Sequence, residues 1–476
     1  MKLYLLSFLF LLINSPLITY SFNFFGFIPS FQGRVSHLNK VNFETPCFDV
    51  GVKYNANNLT INLQNRKKFL CSDSYIISNN HRLMWKTYLL EGENVIEFDN
   101  LTNTEIRDIN YYGINIFYLQ EGIIEALANL VYTTQLFTGD HVTDYNLNFL
   151  KEKMNLDYQE WNKNIVFDES EIKNGDMFAI TRLDGLDPTI MWGTGSHMGH
   201  TAIALWINGE LFICESTDKN PLGESYWPPP YGIIKTPYKQ WIQQARKAEF
   251  MVDIIRLAPH YQNSFNKNIQ KVIKLFNNLE GLPYGYRNFL FGWIDTIDNN
   301  FPAELSKEFL VNLLAALERN NTTKSEISKF IDEALTFRLN KNYKNLSLVD
   351  IIDKTILEKK SIYDLFTVPE NDGWIYSDGY SYVCNTFVLR LYKEAGIFEE
   401  INNDINVTEF SPRDTYEIQI FDEDWVPEKC KNSGNICQIM GEYEMILPNF
   451  NSIPMYSFMN QNCPSIAPKY FRPNGC

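Results

Sequence analysis

The dipeptide Asn208-Gly209, with alternating apolar runs on both sides, is the feature that most constrains this chain. Both central positions of a two-residue type I′ turn need positive φ, which Asn and Gly adopt readily, so the pattern predicts a β-hairpin. Closing the turn there pairs Ile207 with Glu210. His200 and Glu215 then lie on one face and within diagonal reach. In that geometry a carboxylate fixes the tautomer of an imidazole and stabilises its protonated form.

A second segment, SYVCNTFVLRLYKEAG, predicts a helix that begins near Cys384. A thiol in the first turn of a helix faces unpaired backbone N–H groups and the positive end of the helix dipole, which favour the thiolate. The same N–H groups are suited to holding an oxyanion. A single cysteine on an apolar helix is also typical of a buried thiol. Its combination with His200 and Glu215 favours a catalytic Cys-His-Glu site that needs no metal or organic cofactor.

The order of these parts, a strand histidine followed by a helix-borne cysteine, resembles the circularly permuted papain-like group. This group comprises the YiiX-like and lecithin:retinol acyltransferase-like branches of the NlpC-type cysteine hydrolases. The matching motifs are Gly175-Asp176 in NGDMFAI, His200 in GHTAI, Glu215 in FICES, Cys384 in YVCNTF, and GLPYGYRNFLFGWIDT from Gly281 to Thr296. The resemblance implies an α+β fold in which an antiparallel sheet packs on the cysteine helix.

The resemblance also implies an activity, namely a thiol hydrolase that cleaves amide bonds, such as a peptidase or amidase acting on cell-wall peptides. A lipid acyl hydrolase or acyltransferase of the same fold is the first alternative. A catalytically silent secreted binding protein is the second. The segments WIYSDG and CQIMGEYEMILPNFNSI also resemble a secreted eukaryotic family, a similarity that implies no activity.

The chain divides by composition into several parts. Residues 1–21 contain a lysine, an apolar run and a small-residue end, which are typical of a signal peptide. A retained membrane anchor is the alternative, although the apolar run is shorter than the span of about 20 residues that a membrane requires. Short β-branched and aromatic runs predict a mostly-β accessory domain over 22–165, and the predicted catalytic domain covers 166–400. Helical apolar spacing predicts an insertion or cap at 299–370. Residues 401–476 are expected to form a disulfide-bearing extension.

The cysteines and sequons fit passage through the secretory pathway, to the outside or to an endolysosomal compartment. Three local pairs are expected to form disulfides, Cys47-Cys71, Cys430-Cys437 and Cys463-Cys476. Cys214 and Cys384 are then left as free thiols. No later run is apolar enough for a membrane anchor after signal removal. Glycosylation sequons occur at Asn58, Asn100, Asn320, Asn321, Asn345 and Asn406.

Charge and composition narrow the range of partners. A formal net charge of −15 argues against nucleic acid and anionic membranes as electrostatic partners. A hydrophobic content of 45% is sufficient for packed cores. The family resemblance implies a peptide or a lipid-like acyl compound as the substrate. For the N-terminal domain, a glycan ligand is the functional interpretation and a structural brace is the alternative.

Four further residues are candidates for the cleft. Tyr284 and Tyr286 are expected to line it or to donate to an oxyanion, although core packing explains such tyrosines equally well. Asp176 is expected to bind loop backbone, and His197 is expected near the cleft mouth. His197 and His200 form an H-x-x-H motif, but a zinc site needs three or four convergent ligands and no second ligand cluster is evident. We therefore predict no metal.

Overall fold

The computed structural model divides the chain into two compact units, residues 1–135 with 303–365 and residues 136–302 with 366–476. Each unit is described separately. The structure describes residues 23–55, 58–68, 73–87, 90–120, 122–218, 228–289, 306–319, 324, 328–366, 368, 370–430 and 436–458. The predicted signal peptide lies outside the described residues.

The strands, in chain order, are β1 (Ser30–Val35), β2 (Val41–Glu44), β3 (Asp49–Asn55), β4 (Asn58–Gln64), β5 (Ser74–Ser78), β6 (Leu83–Thr87), β7 (Gly92–Glu97), β8 (Ile114–Leu119), β9 (Met177–Thr181), β10 (His200–Ile207), β11 (Glu210–Thr217), β12 (Gly232–Pro237), β13 (Met251–Ile255) and β14 (Cys437–Met440).

The α-helices are α1 (Asn103–Tyr112), α2 (Gly122–Thr134), α3 (Val142–Met154), α4 (Leu186–Thr194), α5 (Tyr238–Lys247), α6 (Pro259–Lys267), α7 (Ile269–Leu279), α8 (Tyr286–Phe289), α9 (Lys307–Glu318), α10 (Glu333–Leu339), α11 (Leu348–Leu357), α12 (Ile362–Leu365), α13 (Cys384–Glu394) and α14 (Pro412–Glu417).

The first unit contains two four-stranded antiparallel sheets, ordered β1-β8-β5-β6 and β2-β3-β4-β7. Val50 and Ile61 from one sheet share a buried cluster with Ile77 and Ile116 from the other. The two sheets therefore enclose a common apolar core, as in a β-sandwich. This agrees with the mostly-β pattern of the sequence.

Helices α9 to α12 belong to this first unit. The hydroxyl of Tyr112 lies 2.6 Å from the hydroxyl of Thr355, and Arg34 forms an ion pair with Glu308 at 3.0 Å. The predicted insertion at 299–370 was expected within the catalytic domain. The structure instead groups 303–365 with the N-terminal strands, because buried polar contacts and apolar packing join these helices to the sandwich.

The second unit is built on a six-stranded sheet ordered β12-β11-β10-β9-β13-β14, in which every neighbouring pair is antiparallel. The strand at one edge, β14, comes from the segment that we expected to be a separate extension over 401–476. Its Gln438 pairs with Asp253 of β13. The C-terminal segment therefore contributes the edge strand of this six-stranded sheet.

The two faces of this sheet bury different sets of side chains. On one face, Ile203, Leu205 and Cys214 join Phe387 and Leu391 of α13 in a large cluster. On the other face, a second cluster contains Ala202, Ala204 and Ile213 with Trp241 of α5. The alternation of side chains along β10 and β11 assigns each residue to the face predicted from the hairpin. The chain as a whole is mixed α+β with several antiparallel sheets.

Candidate functional site

The hairpin carries two of the three candidate catalytic residues. Asn208 and Gly209 have φ of 52° and 82°, and Ile207 pairs with Glu210, as the type I′ turn requires. This register brings the Nε2 of His200 to 2.7 Å from Oε2 of Glu215, with the imidazole N–H donating to the carboxylate. The predicted diagonal contact is therefore present.

The second oxygen of the Glu215 carboxylate is also occupied. The indole Nε1 of Trp241 donates to Oε1 of Glu215 at 2.9 Å. His200 and Glu215 are only 2% and 3% exposed, so both hydrogen bonds are shielded from water. Because Nε2 of His200 is engaged with Glu215, Nδ1 is the ring nitrogen that remains for the hydrogen bond with Cys384. Trp241 was not predicted as a site residue, because the sequence around it shows only the apolar face of a helix.

Cys384 is the first residue of α13, and Val383 is the N-cap. The first backbone N–H groups of a helix have no partner within the helix, so they are available to a developing negative charge. The Sγ of Cys384 lies 3.9 Å from the carbonyl oxygen of Gly199, which immediately precedes His200. Ser216 of β11 donates to the carbonyl of Tyr382 at 2.9 Å and so ties the helix entry to the hairpin.

The electrostatic environment of Cys384 and His200 favours a negatively charged thiolate beside a positively charged imidazolium. Burial disfavours the thiolate, but the charge of His200, a hydrogen bond from its ring and the backbone N–H of Thr201 lower the pKa of Cys384 below its ordinary value. Burial and the charge of Arg182 oppose protonation of His200, yet the Cys384 thiolate and Glu215 raise the pKa of the imidazole to about 9. These opposite shifts are those of a thiolate–imidazolium pair.

A buried cluster of charged residues near His200 and Cys384 was not predicted from the sequence. Arg182 donates to Asp187 through Nε at 3.0 Å and through Nη2 at 2.5 Å, while the Asp187 N–H donates to Asp184 at 3.0 Å. A Cβ on Gly199 would lie 2.3 Å from the Cβ of Asp187, so only glycine permits this approach. The negative charge of Asp187 raises the pKa of Cys384 and so partly offsets His200.

The segment from Gly281 to Tyr286 runs between the edge strand β12 and the entry to α13. Its Gly285 lies against the backbone of Tyr382, where a Cβ would meet main-chain atoms at 2.3 Å, and the Gly285 N–H donates to the Tyr382 carbonyl at 3.0 Å. Tyr286 donates to Asp218 at 2.6 Å. The glycine of this motif therefore serves close backbone packing beside the cysteine.

Tyr284 reaches the same site. Burial and the nearby charge of Cys384 raise the pKa of its phenol well above the ordinary value, so the hydroxyl stays protonated. It lines a narrow pocket with a cavity volume of about 20 Å³. The other residues that line this pocket are Ile190, Thr194, Phe289, Val383, Cys384, Asn385, Phe410, Ser411 and Pro412. The sequence analysis anticipated Tyr284 and Cys384 here but not the apolar residues from α4 and the 410–412 segment.

Two other predicted residues lie elsewhere. Asp176 accepts from Arg256 Nε at 3.0 Å and Nη2 at 2.7 Å, and also accepts the N–H of Lys173. It is fully buried in this pair and anchors the start of β9. The Nδ1 of His197 lies 3.0 Å from the carbonyl oxygen of Ile446. Neither residue is among the described residues that line the pocket, so the cleft role predicted for Asp176 and His197 has no contact to support it.

The described cysteines are divided between disulfide-bonded and free residues as predicted. Cys430 and Cys437 form a disulfide, and Cys214 and Cys384 are free and buried. Cys47 is disulfide-bonded. Its predicted partner, Cys71, and the predicted pair Cys463-Cys476 lie outside the described residues.

The predicted sequons differ in exposure. Asn58, Asn100 and Asn345 are exposed, whereas Asn406 is half-buried. Asn320 and Asn321 lie outside the described residues. Exposure makes the first three accessible to a glycan.

Within the described part of the chain, no group of three or more His, Cys, Asp or Glu side chains is arranged to hold a metal ion. None of the helices described there combines the length and apolar character that a membrane span requires.

Comparisons with known proteins give little overlap. No protein-family model matches the chain, and no curated protein matches it. Among solved structures, the metalloprotein yiiX from Escherichia coli O157:H7 is similar over 24% of this chain, at 21% sequence identity and a TM-score of 0.17. The match spans about half, 54%, of the yiiX chain. It is a partial structural likeness only.

Proposed function

We propose that the protein is a cysteine-dependent acyl hydrolase of permuted papain-like architecture that cleaves amide bonds. Cys384 is the nucleophile, His200 is the general base and acid, and Glu215 orients the imidazole. The observation that carries the proposal is the buried chain of contacts from Trp241 through Glu215 and His200 to a thiol at a helix N-terminus. Purely structural cysteines do not require such an arrangement.

The first half of the reaction forms a thioester. The Cys384 thiolate attacks the substrate carbonyl carbon, a C–S bond forms, and the electron pair moves onto the carbonyl oxygen. The N–H groups at the start of α13 stabilise that oxyanion. Collapse of the intermediate breaks the C–N bond, and the amine leaves with the proton of the His200 imidazolium.

The second half regenerates the enzyme. Neutral His200 takes a proton from water as the water oxygen attacks the thioester carbonyl. The C–O bond forms and the C–S bond breaks, which releases the acid and restores the thiolate beside the protonated imidazole. Glu215 keeps its charge throughout and stabilises the imidazolium in both halves. An acceptor other than water in this step would make the protein a transferase.

We also propose that the protein acts within or beyond the secretory pathway. The disulfide Cys430–Cys437 and the exposed sequons at Asn58, Asn100 and Asn345 support this, because disulfides persist in oxidising compartments. Mass analysis of glycopeptides from protein expressed in a eukaryotic secretory host tests it. Absence of glycan at all three asparagines and reduction of Cys430–Cys437 in the native protein would contradict the proposal.

Trapping of the acyl-enzyme tests the catalytic proposal. The protein is mixed with p-nitrophenyl acetate, quenched in acid and digested, and the acetylated residue is identified by mass spectrometry. We expect a burst of p-nitrophenol and a thioester on Cys384. The Cys384→Ala variant should lose both, whereas Cys214→Ala, which removes the other free thiol, should retain both.

Turnover of amides is then measured on a library of peptide anilides. Hydrolysis that requires Cys384 and His200 supports the peptidase or amidase assignment. Absence of any thioester on Cys384, in protein that is folded by circular dichroism, would reject the hydrolase proposal and favour a binding protein.

A further inference from the structure

The pocket beside Cys384 has an apolar wall. Ile190 comes from α4, Phe289 from α8, and Phe410 and Pro412 from the segment that enters α14. Apart from the Cys384 thiolate, none of the described residues that line it carries a charge. A side chain or chain segment that enters this pocket therefore exchanges water for apolar contacts, which favours an apolar group.

Three of the polar residues on the wall donate hydrogen bonds within the protein. Asn385 Nδ2 donates to the carbonyl of Phe410 at 2.6 Å, and the Thr194 hydroxyl donates to the carbonyl of Ile190 at 2.7 Å. Ser411 donates to Asp414 at 2.6 Å as the N-cap of α14. A polar or charged ligand group would lose its hydration here and would have to compete for these bonds.

The position of the pocket indicates which half of the substrate it receives. It is lined by Val383 and Asn385, the residues on either side of Cys384 at the start of α13, and by Tyr284. His200 is not among the described lining residues. The leaving amine must contact His200 to be protonated, so the group that fills the pocket belongs to the acyl half.

The pocket is also narrow. Its cavity volume is about 20 Å³, and a single water needs about 10–15 Å³. The walls therefore lie close together and match a slim, short group.

We propose that this pocket is the acyl subsite and that it selects substrates whose acyl half carries a compact apolar group. Charged acyl groups and long fatty chains are excluded. This inference rests on the proposed function and narrows its substrate class, because it favours amides of small apolar acyl residues over lipid esters. Ile190 of α4, one of the apolar lining residues, is the position at which the size of the pocket can be changed.

A series of p-nitrophenyl esters tests the subsite. The acetate, butyrate, octanoate and monosuccinate esters differ in the length and charge of the acyl half but share one leaving group. We expect kcat/KM for butyrate to exceed that for octanoate and for monosuccinate by about 10- to 200-fold, the range by which a shaped apolar pocket discriminates. The variant Ile190→Ala should raise kcat/KM for the octanoate ester relative to that for the butyrate ester. The variant Ile190→Phe should lower kcat/KM for butyrate more than for acetate.

Alkylation of Cys384 by iodoacetamide separates the two possible failures, because this small reagent needs the nucleophile but not the subsite. Rapid alkylation combined with equal or faster turnover of octanoate overturns the subsite and leaves the hydrolase proposal standing. Slow alkylation with no acylation by any ester rejects the hydrolase, and the subsite with it. If one Ile190 variant fails to fold, the change in chain-length preference of the other variant still tests the subsite.

Discussion

Glu215 accepts the Nε2–H of His200 across 2.7 Å while its other carboxylate oxygen accepts the indole N–H of Trp241. Both oxygens thus have a fixed donor in a region that excludes water. The carboxylate cannot rotate without breaking a buried hydrogen bond, which costs about 1–3 kcal/mol. His200 is consequently held with one ring nitrogen toward Glu215 and the other toward Cys384, before any substrate binds.

The lowered pKa of Cys384 and the raised pKa of His200 predict an unusual pH profile for alkylation. The thiolate exists above the lowered Cys384 pKa, and His200 remains protonated up to about pH 9. We expect iodoacetamide to modify Cys384 at mildly acidic pH, well below the ordinary cysteine pKa of about 8.5. In His200→Ala the profile should move to higher pH.

Cys214 is the internal control for this measurement. Burial raises the pKa of its thiol well above the ordinary value, so it should stay unmodified in the folded protein at every pH tested. Equal modification of Cys214 and Cys384 would mean that the reagent reports on unfolding. An unchanged profile in His200→Ala would mean that His200 does not activate Cys384.

The pKa of His200 should depend more on Cys384 than on Glu215. Burial lowers this pKa, and the largest opposing contribution is the charge of the Cys384 thiolate, ahead of the hydrogen bond to Glu215. We expect Cys384→Ser to lower the His200 pKa further than Glu215→Gln does. Titration of isotopically labelled histidine by NMR, with His200→Ala used for assignment, measures both. The reverse order would show that Glu215 is the main source of stabilisation.

Tyr284 is expected to donate to the oxyanion. Its phenol lines the pocket, and its pKa is raised by burial and by the charge of Cys384, so it keeps its proton at working pH. Tyr284→Phe should reduce kcat toward p-nitrophenyl acetate by on the order of 10², as loss of one oxyanion donor does. Alkylation of Cys384 should be unaffected.

Tyr286→Phe is the matched control. The Tyr286 hydroxyl is bound to Asp218 at 2.6 Å, so its loss should change kcat far less. If both variants retain full kcat, the oxyanion is held by backbone N–H groups alone.

The hairpin was predictable because its information is local. Asn208-Gly209 specifies the turn, and a period of two then places His200 and Glu215 on one face. Cys384 was predictable for a similar reason, since the helical spacing after it marks the start of α13. These short-range rules identified three polar residues of the candidate site, whereas the segment that contains Tyr284 was identified by its resemblance to a family motif.

The other residues of the candidate site, and the packing of several elements, depend on contacts between segments that are distant in the sequence. The periodicity of a short segment carries no information about such contacts. In the sequence, Trp241 is one of several apolar residues of α5, and nothing near it in the chain indicates that its indole binds Glu215. Asp187 is an acidic residue at the start of α4, and its contact with Arg182 is not evident from the sequence. The four-residue strand β14 is too short to show alternation, and the apolar spacing of α9 to α12 does not say which domain they pack on.

Gly199 should be intolerant of a side chain. A Cβ there would lie 2.3 Å from the Cβ of Asp187, so Gly199→Ala must displace either α4 or the strand that carries His200. We expect a loss of about 1–3 kcal/mol in the free energy of unfolding, as for overpacking of a core. Alkylation of Cys384 at mildly acidic pH should also slow.

Gly193→Ala provides the comparison within α4. A Cβ at this position would meet nothing within 4 Å, and alanine favours the helix by about 0.5–1 kcal/mol. Chemical denaturation of both variants measures the difference. Equal stability of the two would indicate that the contact between Gly199 and Asp187 relaxes without cost.

Substitution of two buried aspartates, Asp253 in β13 and Asp176 just before β9, should change the stability in opposite directions. Both carboxylate oxygens of Asp253 are buried without a hydrogen-bond partner among the described residues, and burial raises its pKa well above the ordinary value. Asp176 instead forms a buried ion pair with Arg256. We expect Asp253→Leu to stabilise the protein by about 1–3 kcal/mol near neutral pH, and Asp176→Leu to destabilise it by about 3–5 kcal/mol.

The pH dependence of Asp253 has a definite sign. Between the unfolded pKa of about 3.9 and the raised folded pKa, the folded state binds more protons than the unfolded state, so stability falls as pH rises. Asp253→Leu should remove this decline, and the gain from the substitution should therefore be small below about pH 4 and larger near neutrality. Urea denaturation of wild type and variant at several pH values measures it. A gain that is independent of pH would mean that Asp253 is not protonated in the folded protein.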